Sequence, residues 1–244
     1  MKLGVEEIMT FKNTFLVYVV ESPSAPDVYH RRSEGNVIAN TLELQGIPCV
    51  VRTAVTKEAF QAALYLGLSE ELQKHQNLIP ILHISAHGNK EGIQLSNTEV
   101  ISWSELRTLL HPINTVLQNC LVLCMSCCHG YFGSQMAMFL EDPNPPFLVL
   151  IGNNGKPTWA ETAIAYGTFY HLLTKGSKIS EALDAMCIAS GNNEFLMTTG
   201  QDARIGYTEY IEKLNPERIS AQLQETTRHN APNNIDQLKA LEKN

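Results

Sequence analysis

The sequence has little positive charge and no long hydrophobic run. Only 18% of its 244 residues are charged, the formal net charge is -7 and the pI is about 5.6, so no basic surface for nucleic acid or anionic lipid is expected. The apolar run at residues 15 to 20 is too short for a signal-peptide core or a membrane span. We therefore expect a cytoplasmic protein that binds neither nucleic acid nor membrane.

Cysteine is also scarce, with six residues in the chain. Without a secretion signal, this number argues for reduced thiols rather than a disulfide framework. Free cysteine is usually buried. We expect a core position for four of the six, namely Cys49, Cys120, Cys124 and Cys187.

What the sequence does contain is an alternation of short apolar runs and longer helical patterns. Five runs predict strands, with a small polar hairpin after the third: TFLVYVV, IPCVVRTAV, LIPILHISAHG, CLVLCMS and PFLVLIG. Apolar strands separated by helices predict an α/β fold with a mostly parallel sheet and helices on both faces. From residue 201 the chain becomes polar, so we predict a domain over residues 1–200 and a helical extension over 201–244.

Two predicted strands end in chemically active side chains. The third ends in HISAHG and the fourth in MSCCHG, which places His87 and Cys127 at the carboxyl edge of the sheet, where reactive groups collect. A histidine can take the proton of a thiol, and the thiolate can then attack a carbonyl. The backbone N–H groups of Gly88 and Cys127 are the natural candidates for an oxyanion hole. His83 lies inside its strand and is predicted to be structural.

The cysteine cluster also allows functions other than a single nucleophile at Cys127. Cys128 could replace Cys127 as the nucleophile. The C-x3-C-x2-C spacing from Cys120 suits an iron–sulfur cluster, but four residues of strand span roughly 13 Å, which is too far for one cluster. A metal held by Cys127, Cys128 and His129 would need His87 as well. We therefore predict neither metal nor cofactor.

The two strand ends resemble the His-Gly and Cys motifs of caspase-like (caspase-hemoglobinase) cysteine peptidases, and in particular of bacterial CHAT domains. That family shows Ser-Ala-Cys with a glycine three residues later; here Met125-Ser126-Cys127 and Gly130 take those places. The likeness extends over roughly residues 14 to 190. It includes matching positions in the closing helices: Trp159, Phe169, Tyr170, Gly176 and Glu181-Ala182-Leu183.

The resemblance implies a cysteine endopeptidase with Cys127 as nucleophile and His87 as general acid and base. The family works with a dyad, and no Asp or Asn is placed beside His87 by the sequence. We expect the helix after Gly130 to favour the thiolate through its dipole. The resemblance also implies a protein substrate encoded nearby and a setting in anti-phage defence. The alternative is a non-catalytic interaction module with the same fold.

The residues that select the substrate are predicted from their resemblance to family positions and from their place after the strands. Met125 occupies the place of an Asp that selects basic side chains in metacaspase-like relatives. Arg32 resembles the caspase arginine that receives an acidic side chain, unless it is a solvated loop charge. Asn153 and Asn154 follow the fifth strand and are predicted to line the pocket. If the substrate is basic instead, the candidate partners are Glu21, Asp27 and Glu161.

Overall fold

Eight strands form one mixed sheet in a computed structural model that describes residues 14–214. They are β1 (Phe15–Ser22), β2 (Cys49–Thr53), β3 (Ile79–Gly88), β4 (Gly92–Gln94), β5 (Val100–Ser102), β6 (Val122–Ser126), β7 (Val149–Asn153) and β8 (Phe195–Thr199). The main order is β2-β1-β3-β6-β7-β8, and β4 and β5 form a hairpin on the end of β3. All main pairs are parallel except β7 with β8. The predicted α/β class and mostly parallel sheet are confirmed.

Eight α-helices connect and cover these strands. They are α1 (Ala25–Tyr29), α2 (Glu34–Glu43), α3 (Lys57–Ala62), α4 (Leu68–Lys74), α5 (Trp103–Val116), α6 (Trp159–Thr174), α7 (Ile179–Ser190) and α8 (Gly200–Leu214), with a π-helical turn at Ala63–Gly67 between α3 and α4. Hydroxyl side chains cap several of them: Ser102 and Glu105 form a capping box on α5, and Thr158 and Glu161 form one on α6.

Strand residues alternate between two apolar cores, one on each face of the sheet. One core contains Phe60 of α3, Leu68 of α4 and Leu106 of α5. The other contains Ile38 of α2 and apolar side chains of α6 and α7. Both faces of the sheet are thus covered by helices, as a parallel sheet requires and as the sequence predicts.

Three elements differ from the sequence prediction. The segment after β6 is predicted to be a helix and forms a 3₁₀ helix, Gly130–Ala137. The five-residue helix α1 is not predicted from the sequence. Strand β8 is not predicted either, because only the first three residues of FLMTT are apolar. It pairs antiparallel with β7 and occupies the edge of the sheet.

The C-terminal part of the chain is only partly described. Residues 14–204 lie in one compact unit, and residues 205–214, the end of α8, belong to a second. The predicted extension beyond residue 214 lies outside the described residues, as does the N-terminal segment before residue 14. Within residues 14–214, no helix is both long enough and apolar enough to span a bilayer.

Candidate active site

The pairing of β3 with β6 brings His87 and Cys127 to the same edge of the sheet. The two strands are parallel neighbours, and the last register pair is Ser85 with Ser126. His87 lies two residues beyond this pair and Cys127 one residue beyond it. One parallel strand pairing therefore brings together His87 and Cys127, which are 40 positions apart in the sequence.

Both residues line a pocket of about 260 Å³. Two lining residues come from β3, three from the end of β6, and four from the start of α6 and the loop before it. They are Ala86, His87, Ser126, Cys127, Cys128, Pro157, Thr158, Trp159 and Thr162. The ring of Trp159 meets His87 edge-on, with centroids 5.8 Å apart. One side of the pocket thus carries His87 and the two cysteines, and another side carries the ring of Trp159.

Gly88 allows the two strand ends to approach closely. A Cβ at Gly88 would lie 2.7 Å from the carbonyl oxygen of Cys128 and 3.1 Å from Cys127 Sγ, closer than side chains tolerate. The N–H of Asn89 donates to the Gly92 carbonyl at 3.0 Å, so Gly88 and Ile93 form a non-hydrogen-bonded pair of the β3–β4 ladder. The Gly88 N–H is therefore not used by that ladder.

The Cys127 thiol is nearly enclosed. The residue is 3% exposed, and burial, together with Cys128 and Glu34, raises the pKa of its thiol. The expected lowering by the following helix is not seen, because that helix is a short 3₁₀ helix and burial dominates. Among the described residues no hydrogen bond joins Cys127 to His87. A thiol in this setting needs a base in order to lose its proton.

Cys128 differs from its neighbour in exposure and charge environment. It is half-buried, and although burial raises the pKa of its thiol, the charge of Lys156 acts in the opposite direction. It lines the same pocket as Cys127. The sulfur beside Gly88 and Gly130 nevertheless belongs to Cys127, since a Cβ on Gly130 would lie 3.2 Å from it.

A carboxylate that the sequence suggested only as a candidate partner of a basic substrate contacts His87. Asp27 Oδ2 lies 3.2 Å from His87 Nε2, and the Asp27 side chain is only 7% exposed. Asp27 is held in the first turn of α1, where Ser24 donates to the same oxygen at 2.5 Å. A signal for it was present: Ser24-Ala-Pro-Asp27 has the form of a helix start directly after β1, which neighbours β3.

Asp27 is also the partner of Arg32, whose Nε lies 3.6 Å from Asp27 Oδ1. Burial alone would raise the pKa of Asp27, but hydrogen bonds from Ser24 and His87 and the charges of His87 and Arg32 outweigh it and hold the pKa below its usual value. Asp27 is therefore ionised at neutral pH. The expectation that no acidic residue lies beside His87 is wrong, because α1 folds back over the end of β3.

A second carboxylate lies beneath the pocket. Glu34, the first residue of α2, accepts hydrogen bonds from Ser85 at 2.6 Å and from Ser126 at 2.8 Å. His83 Nε2 lies 3.6 Å from it, and His83 Nδ1 hydrogen-bonds Tyr170 at 2.9 Å. Burial alone would raise the pKa of Glu34, but His83 and the two hydroxyls hold it below its usual value.

The four residues predicted to bind substrate do not line the pocket. Arg32 pairs with Asp27 and its side chain is 53% exposed, while Met125 is fully buried in the core. Asn153 bonds Asn192 and the Gly155 N–H. The Asn154 carbonyl accepts a hydrogen bond from the His129 ring, so both asparagines shape the loop after β7.

The four remaining cysteines differ in how far they are buried. Cys124 is buried as expected, and Cys49 and Cys187 are half-buried. Cys120 is exposed, which contradicts its predicted core position, because it lies between the end of α5 and β6 rather than in the strand. All six thiols are free. In residues 14–214 no group of three or more His, Cys, Asp or Glu side chains is arranged to hold a metal ion.

Comparison with known proteins adds no identification. No model of a known protein family matches the chain, and no curated protein is similar to it in sequence.

Proposed function

We propose that the protein is a cysteine endopeptidase in which Cys127 is the nucleophile and His87 the general acid and base. One observation carries the proposal: His87 and Cys127 line a single pocket at the carboxyl edge of adjacent parallel strands, with Gly88 beside the sulfur. The likeness of both strand ends to the CHAT motifs supports the same assignment. It also supports the caspase-like form of the fold.

The proposed reaction uses this chain's own groups at each step. His87 takes the proton of Cys127, Sγ forms a bond to the scissile carbonyl carbon, and the N–H groups of Gly88 and Cys127 stabilise the oxyanion. His87 then gives the proton to the leaving amine as the peptide C–N bond breaks. Water, deprotonated by His87, then forms a bond to the acyl carbon, the C–S bond breaks, and His87 returns the proton to the Cys127 sulfur. Because burial raises the pKa of Cys127, proton transfer accompanies attack.

The substrate that we propose is a protein rather than a small peptide. The resemblance to CHAT domains supports a cytoplasmic partner encoded nearby, with anti-phage defence as the setting. No cofactor enters the proposed reaction.

Site-resolved alkylation tests the nucleophile without a known substrate. Iodoacetamide is applied at neutral pH and each thiol is followed by mass spectrometry, with exposed Cys120 as the internal reference. We expect Cys127 to react faster than Cys120 and to lose this advantage in His87→Ala. A peptidyl electrophile should label wild type and Cys128→Ala but not Cys127→Ala. Labelling lost only in Cys128→Ala would reassign the nucleophile.

A second candidate function is a non-catalytic interaction module. The burial of Cys127, and the lack of a hydrogen bond to His87 in the described part of the chain, favour it. Equal alkylation of Cys127 in wild type and His87→Ala, with no cleavage of any partner, would support this candidate.

A further inference from the structure

We propose that Asp27 is a positioning residue that holds His87 with its proton on Nε2 and leaves Nδ1 to act as the base. The inference rests on the proposed function and adds a third member to its dyad. Asp27 contacts His87 but does not line the pocket, so it acts through the imidazole.

The contact geometry carries the inference. A carboxylate oxygen can only accept, so at 3.2 Å from Asp27 Oδ2 the His87 Nε2 must be the donor. In the neutral ring the lone pair then lies on Nδ1, the only nitrogen that can take a thiol proton. Trp159 meets the ring edge-on from α6. The hydrogen bond to Asp27 therefore orients the ring, and Trp159 is its aromatic neighbour in the pocket.

Asp27 is itself held in place, as an orienting group must be. Its Oδ2 accepts from Ser24 at 2.5 Å, its N–H donates to Ser24 Oγ at 3.3 Å, and its Oδ1 faces Arg32 at 3.6 Å. The residue is 5% exposed. A buried carboxylate whose two oxygens are both engaged cannot rotate freely, so it fixes the ring that it contacts.

The charges around His87 are consistent with this role. The titratable groups around His87 are Asp27 from α1, which contacts it, and Cys127 and Cys128 from the end of β6, which line the same pocket. Trp159 from α6 and Gln94 from β4 are uncharged. When His87 accepts the thiol proton, the resulting imidazolium lies directly against the Asp27 carboxylate. Asp27 therefore stabilises the charged state that forms during attack.

Asp27→Asn tests the inference, because it keeps the shape of the side chain but removes its charge. The matched control is Asp202→Asn, since Asp202 pairs with Thr199 at the start of α8 as Asp27 pairs with Ser24. We expect the alkylation rate of Cys127 at neutral pH to fall at least tenfold in Asp27→Asn, with no change for Cys120. Asp202→Asn should alkylate as wild type does.

The NMR spectrum of the His87 imidazole reports which ring nitrogen carries the proton. A purely structural role of Asp27 would not affect that position. In wild-type protein, ¹⁵N–¹H correlation spectra of the neutral His87 imidazole should show its proton on Nε2, and this signature should weaken in Asp27→Asn. Should the variant fail to fold, the wild-type spectrum still decides, because a proton on Nδ1 would overturn the inference.

The two proposals fail in different ways. If Cys127 in wild type reacts no faster than Cys120, and His87→Ala changes nothing, the proposed function is wrong. If wild type shows the His87-dependent rate but a folded Asp27→Asn retains it, only the role of Asp27 is wrong.

Discussion

The Ser126 hydroxyl donates to Glu34 at 2.8 Å, so the residue before Cys127 is tied to the first turn of α2. Ser85, two residues before His87, donates to the other oxygen of the same carboxylate at 2.6 Å. One buried carboxylate therefore bridges the two strands that carry the candidate site. The relative position of His87 and Cys127 depends on this bridge as well as on the sheet.

Glu34→Gln should destabilise the protein. An amide offers one acceptor oxygen in place of two, so one of the two buried serine hydroxyls loses the acceptor for its proton, at a cost of about 1–3 kcal/mol. The free energy of unfolding in urea measures the loss. Glu58→Gln, an exposed change in α3, is the control and should stay within about 0.5 kcal/mol. Equal stability of both variants would show that the bridge contributes nothing.

Replacing Glu34 should also change how the free energy of unfolding depends on pH in acid. Its pKa is lowered on folding, so its contribution is fully present above the unfolded value of 4.5 and is lost as the pH falls through the folded pKa. Wild type should therefore lose more stability than Glu34→Gln as the pH falls below 4.5. Parallel curves of unfolding free energy against pH would contradict this assignment.

Gly88→Ala should abolish activity. Its Cβ would lie 2.7 Å from the Cys128 carbonyl and 3.0 Å from Cys127 Cβ, and neither atom can move without displacing the strand end. Alkylation of Cys127 and cleavage of the partner should both fall at least a hundredfold. Gly167→Ala is the control: its Cβ meets nothing within 4 Å in α6, and it should add about 0.5–1 kcal/mol of stability.

Trp159→Ala should affect substrate binding more than thiol chemistry. The indole forms one wall of the pocket, so its removal should raise KM for a protein or peptide substrate about tenfold. Iodoacetamide is too small to need that wall, and its rate at Cys127 should change less than threefold. Trp159→Phe should restore most of the binding. An equal loss in both assays would instead assign Trp159 to holding His87.

Arg32→Gln should leave the preference for the residue before the scissile bond unchanged. Arg32 pairs with Asp27 and does not line the pocket, so it cannot receive a substrate carboxylate there without leaving that partner. Profiling a peptide library with wild type and variant measures the preference. An acidic preference that disappears in Arg32→Gln would restore the prediction made from its sequence position.

The sequence by itself determined the α/β class, five main strands and the placement of His87 and Cys127 at strand ends, because periodicity and strand boundaries are local properties. Only the tertiary structure decided which carboxylates serve the site. Asp27 and His87 are 60 positions apart, and Glu34 and Ser126 are 92 apart. No spacing rule links such pairs. Burial also depends on distant parts of the chain. The low exposure of the Cys127 thiol and the pairing of Arg32 with Asp27 depend on how helices α1 and α2 pack over the strand ends.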